Sequence, residues 1–247
     1  MRVAQSVLMA RRLYLGTSGF AFPQWKGVFY PPDVKPRQML AFYASVFSSV
    51  EINYSFRRDI SDATVASWRE ATPEGFLITL KAHQRITHWF RLGEGADGAV
   101  RTFLGSAQRL GDRLGAILFQ CPPNLKYDGA LIESFLSRLP TGFRYAFEFR
   151  HPSWVEARDL LASRSVAWCV ADTEKEPFAE DRLPPGEFDY VRLRKERYSE
   201  DEIEVWARLL HPMLDQGRDV FCYFKHEDKD AGPVFAERLR AILSRSP

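Results

Sequence analysis

The chain has 247 residues, 45% of them hydrophobic, and a formal net charge of +2. That length suits one large domain with its own core, and the near-neutral balance makes no demand for nucleic acid or an anionic membrane as partner. No run approaches the ~20 apolar residues of a membrane span, and three cysteines without paired spacing do not suggest a disulfide framework or a zinc knuckle.

Segment 1–12 mixes weakly apolar residues with arginines and lacks the apolar length of a secretory signal. It reads as a disordered tail before a single domain over 13–247, in a soluble cytoplasmic protein with no membrane partner. From there, short apolar runs alternate with segments of helical spacing. The first run, Leu13-Tyr14-Leu15, ends in Gly16-Thr17-Ser18-Gly19. A long loop over 19–36, rich in aromatics and prolines, leads to a helix over 36–47 with Met39, Leu40, Tyr43 and Phe47 on one stripe. The second run is Val50-Glu51-Ile52-Asn53, followed by a helix that Ser61 caps and that carries Val65 and Trp68. The third, Leu77 to Leu80, ends in Lys81. A second long loop over 84–97 and a helix over 97–113 follow.

The fourth run, Ala116 to Phe119, ends in Gln120, and a helix over 131–139 comes next. The fifth, Tyr145-Ala146-Phe147, ends in Glu148-Phe149-Arg150-His151, before a helix over 155–164. The sixth, Ala167 to Ala171, ends in Asp172-Thr173. The seventh is Tyr190-Val191, then Arg192-Leu193-Arg194. After it Ser199, three acidic residues and the stripe Ile203, Trp206, Leu209, Leu210 mark a helix that Gly217 stops. The eighth, Val220 to Phe224, ends in Lys225-His226, and a helix over 233–243 closes the chain.

Eight runs alternating with helices imply parallel strands joined by long crossovers. This is an α/β chain, a (β/α)₈ TIM-type barrel whose chemistry belongs at the strand C-termini. Alternation along a strand sharpens the reading. Val50 and Ile52 oppose Glu51 and Asn53; Ile78 and Leu80 oppose Thr79 and Lys81; Phe147 and Phe149 oppose Glu148 and Arg150; Val191 and Leu193 oppose Arg192 and Arg194. The apolar set packs on helices and the charged set converges inside.

Specific motifs carry a resemblance. Gly16-Thr17-Ser18-Gly19, Trp25-Lys26-Gly27-Val28-Phe29-Tyr30-Pro31, Val50-Glu51-Ile52-Asn53 and Leu80-Lys81-Ala82 are four of them. Ile86-Thr87-His88, Leu118-Phe119-Gln120-Cys121-Pro122-Pro123-Asn124, Glu148-Phe149-Arg150-His151-Pro152-Ser153-Trp154 and Tyr190-Val191-Arg192-Leu193 are four more. The chain resembles the domain of unknown function 72 family, also called YecE-like, from about Leu13 to the end. The resemblance implies a TIM-type barrel and supplies no reaction. Two departures are His83, where the family more often has proline, and Arg57, where it often has tyrosine.

The residues expected to converge at the rim fall into two roles. Glu51, Lys81, Glu148 and Asp172 are the candidates for catalysis, as acids, bases or, for Lys81, a Schiff-base nucleophile. Arg150, Arg192 and Lys225 are candidates to bind an anion, with Asn53, Gln120, Thr17 and Ser18 orienting it. His88 and His151 lie in rim loops, and Trp25 and Tyr223 offer rings; Trp89 and Trp154 are further stacking candidates. One reading is an acid–base enzyme with an anion-binding pocket. It would be hydrolase- or isomerase-like and act on a phosphorylated, nucleotide-like or nucleic-acid substrate, with phosphodiester hydrolysis among the reactions. The rival is a binding protein for nucleic acid or a small anionic ligand, without catalysis. A third reading makes the charges a buried ion-pair network, Glu51 with Lys81 and Glu148 with Arg192. No cofactor is expected. A divalent metal on Glu51, Glu148, Asp172 and His151 stays open, although no His-x-His or His-Glu-x-x-His spacing exists.

Overall fold

The computed structural model describes residues 13–175, 187–225 and 231–245. The expected tail over 1–12 and His226 lie outside the described residues. Eight parallel strands form one sheet in the order β1-β8-β7-β6-β5-β4-β3-β2. They are β1 (Leu13–Thr17), β2 (Ser49–Ile52), β3 (Leu77–Lys81), β4 (Leu114–Gln120), β5 (Arg144–Glu148), β6 (Ala167–Asp172), β7 (Phe188–Leu193) and β8 (Asp219–Phe224). The described helices are α1 (Met39–Val46), α2 (Asp62–Ala71), α3 (Asp97–Gln108), α4 (Gly129–Arg138), α5 (Arg158–Ser163), α6 (Glu200–Asp215) and α7 (Ala231–Arg245). The arrangement is a nearly closed (β/α)₈ barrel.

Local chemistry fixes the helix starts. The Ser61 hydroxyl accepts from Thr64 N and the Asp128 carboxylate from Leu131 N. Ser199 and Glu202 form a reciprocal capping box, with Glu200 and Asp201 beside them at the positive helix end. The start expected at Val155 differs: a 3-10 turn, Pro152–Ala157, precedes the short α5. The loop over 84–97 also carries structure, a π-helical turn over Arg85–Trp89 and a 3-10 turn over Glu94–Ala96.

Two cores follow from strand alternation. Val50, Ile52, Ile78, Leu80, Ile117, Phe119, Phe147, Val191 and Leu193 face the helices in the larger one. Leu77, Leu118, Ala146, Cys169, Tyr190, Phe221 and Tyr223 fill the barrel interior. Near mid-barrel the Tyr223 hydroxyl donates to Thr79 Oγ1 (2.8 Å) and lies 2.7 Å from the Ser49 hydroxyl, so these buried polar groups are paired.

The barrel closes between β1 and β2 without a backbone ladder. Side chains bridge the gap instead. Leu15 N donates to Ser48 Oγ (3.0 Å), which donates to Leu13 O (3.0 Å). Thr17 N donates to the Tyr43 hydroxyl (2.7 Å), which donates to Ser49 O (3.2 Å). A Cβ at position 16 would overlap both the Ser49 carbonyl and the Tyr43 hydroxyl, so the seam requires Gly16.

Candidate functional site

Above the interior core, the inward side chains at the strand C-termini form one polar chain. Arg192, from β7, reaches across the barrel. Its Nη2 donates to Glu51 Oε1 on β2 (2.8 Å), and its Nη1 donates to Glu148 Oε2 on β5. Tyr190, two residues earlier on the same face, donates to Glu51 Oε2 (2.7 Å). Register places Gln120 of β4 directly beside Glu148, and Gln120 Nε2 donates to Glu148 Oε1 (2.7 Å). Arg150 Nε donates to the same oxygen (3.2 Å). With its amide nitrogen turned to the carboxylate, Gln120 presents Oε1 to Lys81, whose Nζ donates to it at 2.7 Å. Lys81 Nζ also stands 4.0 Å from the centre of the Phe56 ring.

Burial is deep at the centre and relaxes toward the mouth. Glu51, Arg192 and Glu148 are 0%, 1% and 3% exposed, whereas Lys81 is half-buried and Arg150 exposed. Burial pushes the Glu51 and Glu148 carboxyls up, but the Arg192 guanidinium outweighs it. Both stay below the usual carboxylate range, with Tyr190 and Ser18 helping at Glu51 and Arg150 and Arg194 at Glu148. Lys81 moves the other way. Burial first and Arg192 second lower it to about 8, against the pull of Glu148 and Glu51. His88 is lowered by burial and by the nearby Lys81, Arg150 and Arg91, so its imidazole is neutral at pH 7. It packs edge-on against Phe56 at 5.0 Å between centroids, beside Lys81.

Glu51, Lys81, Glu148, Gln120, Arg150 and Arg192 are thus brought together, with Ser18 and His88 beside them. Asn53 follows β2 and buries an Oδ1 for which the described residues offer no hydrogen-bond partner. Glu148 pairs with Arg192 as expected, but the partner of Glu51 is Arg192 and not Lys81.

Other expectations are corrected. Asp172 faces the helix layer, where Trp206 of α6 donates to it (3.2 Å) and Lys195 lies 3.5 Å away. On β6 the inward parity belongs to Cys169 and hence to Ala171, the position before Asp172, which is in register with Arg192. Thr17 also points away from the interior, held by Tyr43 at the seam. Tyr223 lies in the barrel interior among the hydroxyls of Ser49 and Thr79, below the charged layer. Trp25 is 0% exposed and packs among Phe22, Phe29 and Tyr30, so the loop over 19–36 plugs and presents no Trp25 ring to a ligand. Trp154 is likewise buried, stacked on Phe149. His151 caps the turn over Pro152–Ala157, accepting from Ser153 N at 3.3 Å. Lys225 lines a small crevice with Lys195, Glu196 and Gly232.

Three contributors carried little or no signal in the sequence. Arg194 shares the inward parity of Arg192 but lies past the strand end, where parity alone does not fix its place; it is half-buried and its charge bears on Glu51 and Glu148. Phe56 is an apolar residue past a strand end, with nothing to mark it as the floor under an amine. Tyr190 shares the parity of Arg192, and that alternation was the available clue. Cys121 is buried with its thiol pushed well up by burial, which does not fit a nucleophile.

The proposed metal ligands do not assemble. Glu51 and Glu148 share one guanidinium, Asp172 faces α6 and His151 caps a turn. Among the described residues no group of three or more His, Cys, Asp or Glu stands where it could hold a metal ion. A groove of about 640 Å³ opens elsewhere, beside the strand N-terminal residues Arg144, Phe188 and Asp219. That face of a barrel serves stability and not chemistry. Among the described residues no helix is long and apolar enough to cross a membrane.

Comparison with known proteins places this chain in a family. The family model described as "Protein of unknown function DUF72" matches residues 14–247. UPF0759 protein YunF of Bacillus subtilis is 23% identical over 252 residues, covering 87% of this chain and 88% of that protein. UPF0759 protein YecE of Escherichia coli is 28% identical over 143 residues, 58% of this chain and half of the relative. A crystal structure of a DUF72 family protein from Thermotoga maritima superposes with a TM-score of 0.78 at 25% identity, covering 93% of this chain and 97% of that one. A second, from Enterococcus faecalis, gives 0.76 at 17% identity over 95% and 96% of the two chains, a likeness of fold. The chain belongs to the DUF72 family.

Proposed function

We propose that the rim pocket binds an anionic substrate, phosphorylated or nucleotide-like, and performs acid–base chemistry on it, with phosphodiester hydrolysis among the reactions it would suit. One observation carries the reading. Four cations, Lys81, Arg150, Arg192 and Arg194, gather around two carboxylates that are already bound to Arg192. The surplus is positive, lies toward the mouth and has low-dielectric walls, the arrangement that attracts an anion. The buried Arg192 Nε and Asn53 Oδ1 offer hydrogen bonds to an occupant. Exposed Tyr54 and Trp89, on the segments that carry Phe56 and His88, offer ring faces to a base.

The proton carriers in this reading are Lys81 and His88. A general acid or base works best with a pKa near the operating pH, and Glu51 and Glu148 are held too low. They act as fixed negative charges that orient Arg192 and Gln120. We place the protein in the cytoplasm, since Cys121, Cys169 and Cys222 are all free thiols.

A thermal-shift series with inorganic phosphate, nucleotides and phosphosugars tests the pocket. A ligand at a hundred times its Kd stabilises by about 2.7 kcal/mol, roughly 5–10 °C at this chain length. Arg150→Met and Arg194→Met should abolish the shift. The reading fails if none of these ligands moves the midpoint at millimolar concentration. The rival, binding without turnover, draws on the full pairing of both carboxylates; it prevails if ligands stabilise but none is converted.

A further inference from the structure

Lys81 is set apart from the other charged groups of the site. Glu51 and Glu148 share Arg192, and Glu148 also pairs with Arg150, whereas among the described residues no carboxylate lies within ion-pair range of Lys81. Its amine rests instead on two neutral neighbours, the Gln120 carbonyl oxygen at 2.7 Å and the Phe56 ring at 4.0 Å. An ammonium kept only for structure would be paired or solvated. Neither neighbour brings a full countercharge, so the ammonium is held less firmly here than it would be beside a carboxylate.

Gln120 sharpens this. Glu148 can only accept, so it fixes the amide with nitrogen toward itself and oxygen toward Lys81. One amine proton is held by that oxygen, which leaves the nitrogen lone pair for an electrophile. The amine is half-buried at the end of β3, so it is reachable from the mouth. Arg150, whose charge bears on Lys81, is the nearest described candidate to receive an anionic group on the substrate.

We propose that Lys81 is a nucleophile that forms an imine with a small aldehyde or ketone carrying a phosphate or other anionic group. This rests on the anion-pocket reading and names its substrate class. The neutral nitrogen adds to the carbonyl carbon, the carbonyl π pair passes to oxygen, and an amine proton moves to that oxygen to give a carbinolamine. A proton from solvent joins the hydroxyl, which leaves as water. The nitrogen lone pair closes the C=N bond, and the protonated imine that results faces the negative charge of Glu148 and Glu51. With a value of about 8, the fraction of neutral amine at pH 7.5 is roughly 200-fold that of an ordinary lysine.

Reductive trapping tests the proposal. Full-length protein is incubated with glycolaldehyde phosphate and sodium cyanoborohydride at pH 7.5, digested, and each lysine-containing peptide is quantified by mass spectrometry. The adduct should form on Lys81 at least ~10-fold faster than on the exposed Lys35 and Lys126, with a rate that levels off above pH 8 while theirs keeps climbing. Uncharged glycolaldehyde should show far less preference for Lys81. Lys81→Arg, checked for an unchanged melting midpoint, should lose the excess adduct. Labelling of Lys81 at or below the rate of the exposed lysines overturns the proposal, and equal preference with both aldehydes overturns the anionic substrate class. Inorganic phosphate separates the two readings. If phosphate stabilises the fold but Lys81 stays unlabelled, the imine falls and the pocket stands. If Lys81 is labelled with no protection by phosphate, the pocket falls and the imine stands.

Discussion

Replacing Arg192 with methionine tests the charge arrangement most directly. Methionine fills much of the same volume without charge, so Glu51 and Glu148, 0% and 3% exposed, lose their shared counter-ion. Breaking a buried pair by removing one partner costs about 3–5 kcal/mol. At this chain length that lowers the melting midpoint by on the order of 10 °C. The sign of the pH response should reverse as well. In the native protein both carboxyls are held below their unfolded values, so their contribution is present above the usual carboxylate range and is lost as pH falls through the depressed folded values. In Arg192→Met both carboxyls lose their largest stabilising charge, and Glu51, whose ion pair among the described residues is with Arg192, should rise above the unfolded value. Stability is then greatest in acid and declines as pH climbs through the raised folded values. Urea unfolding followed by tryptophan fluorescence at pH 5 and pH 8 reads both effects. Adding Glu148→Gln to the variant should restore part of the loss at pH 8. An Arg192→Met protein as stable as the native one, with the same pH slope, would falsify the network described here.

Two further substitutions probe the frame around the site. Tyr43→Phe strands the buried Thr17 N–H at the seam between β1 and β2, at about 1–3 kcal/mol; a midpoint equal to that of the native protein would show that the hydroxyl does not close the barrel. Trp25→Ala should cost about 3–5 kcal/mol, because that ring is fully buried, while Trp89→Ala, 63% exposed, should stay within about 0.5 kcal/mol. Equal effects from the two would contradict the assignment of one long loop as a plug and the other as open rim.

Much of the site was legible because strand parity is a strict rule. Glu51, Glu148 and Arg192 each sit between two outward apolar residues, so their inward direction follows from the alternation alone. Asp172 shows where such reading fails. The run Ala167 to Ala171 is apolar on both faces, and without a polar–apolar contrast the parity of its last residue was undetermined. Thr17 failed for the same reason, since small residues flank it on both sides. Trp25 and Trp154 failed differently: a ring in a rim loop looks the same in sequence whether it stacks on a ligand or on Phe22 and Phe149.

The chain order of apolar runs and helical stripes determined the barrel by itself, because parallel strands with crossovers of this length have few other ways to bury both faces. Pairing was decided only in three dimensions. Glu51 and Arg192 are 141 positions apart, and sequence patterning fixes which way each points but not which partner is closest across a closed cylinder. The same holds for Lys81. Its neighbours Gln120, Phe56 and Arg192 arrive from three other segments, and a pKa is set by the charges and solvent that surround a group in space.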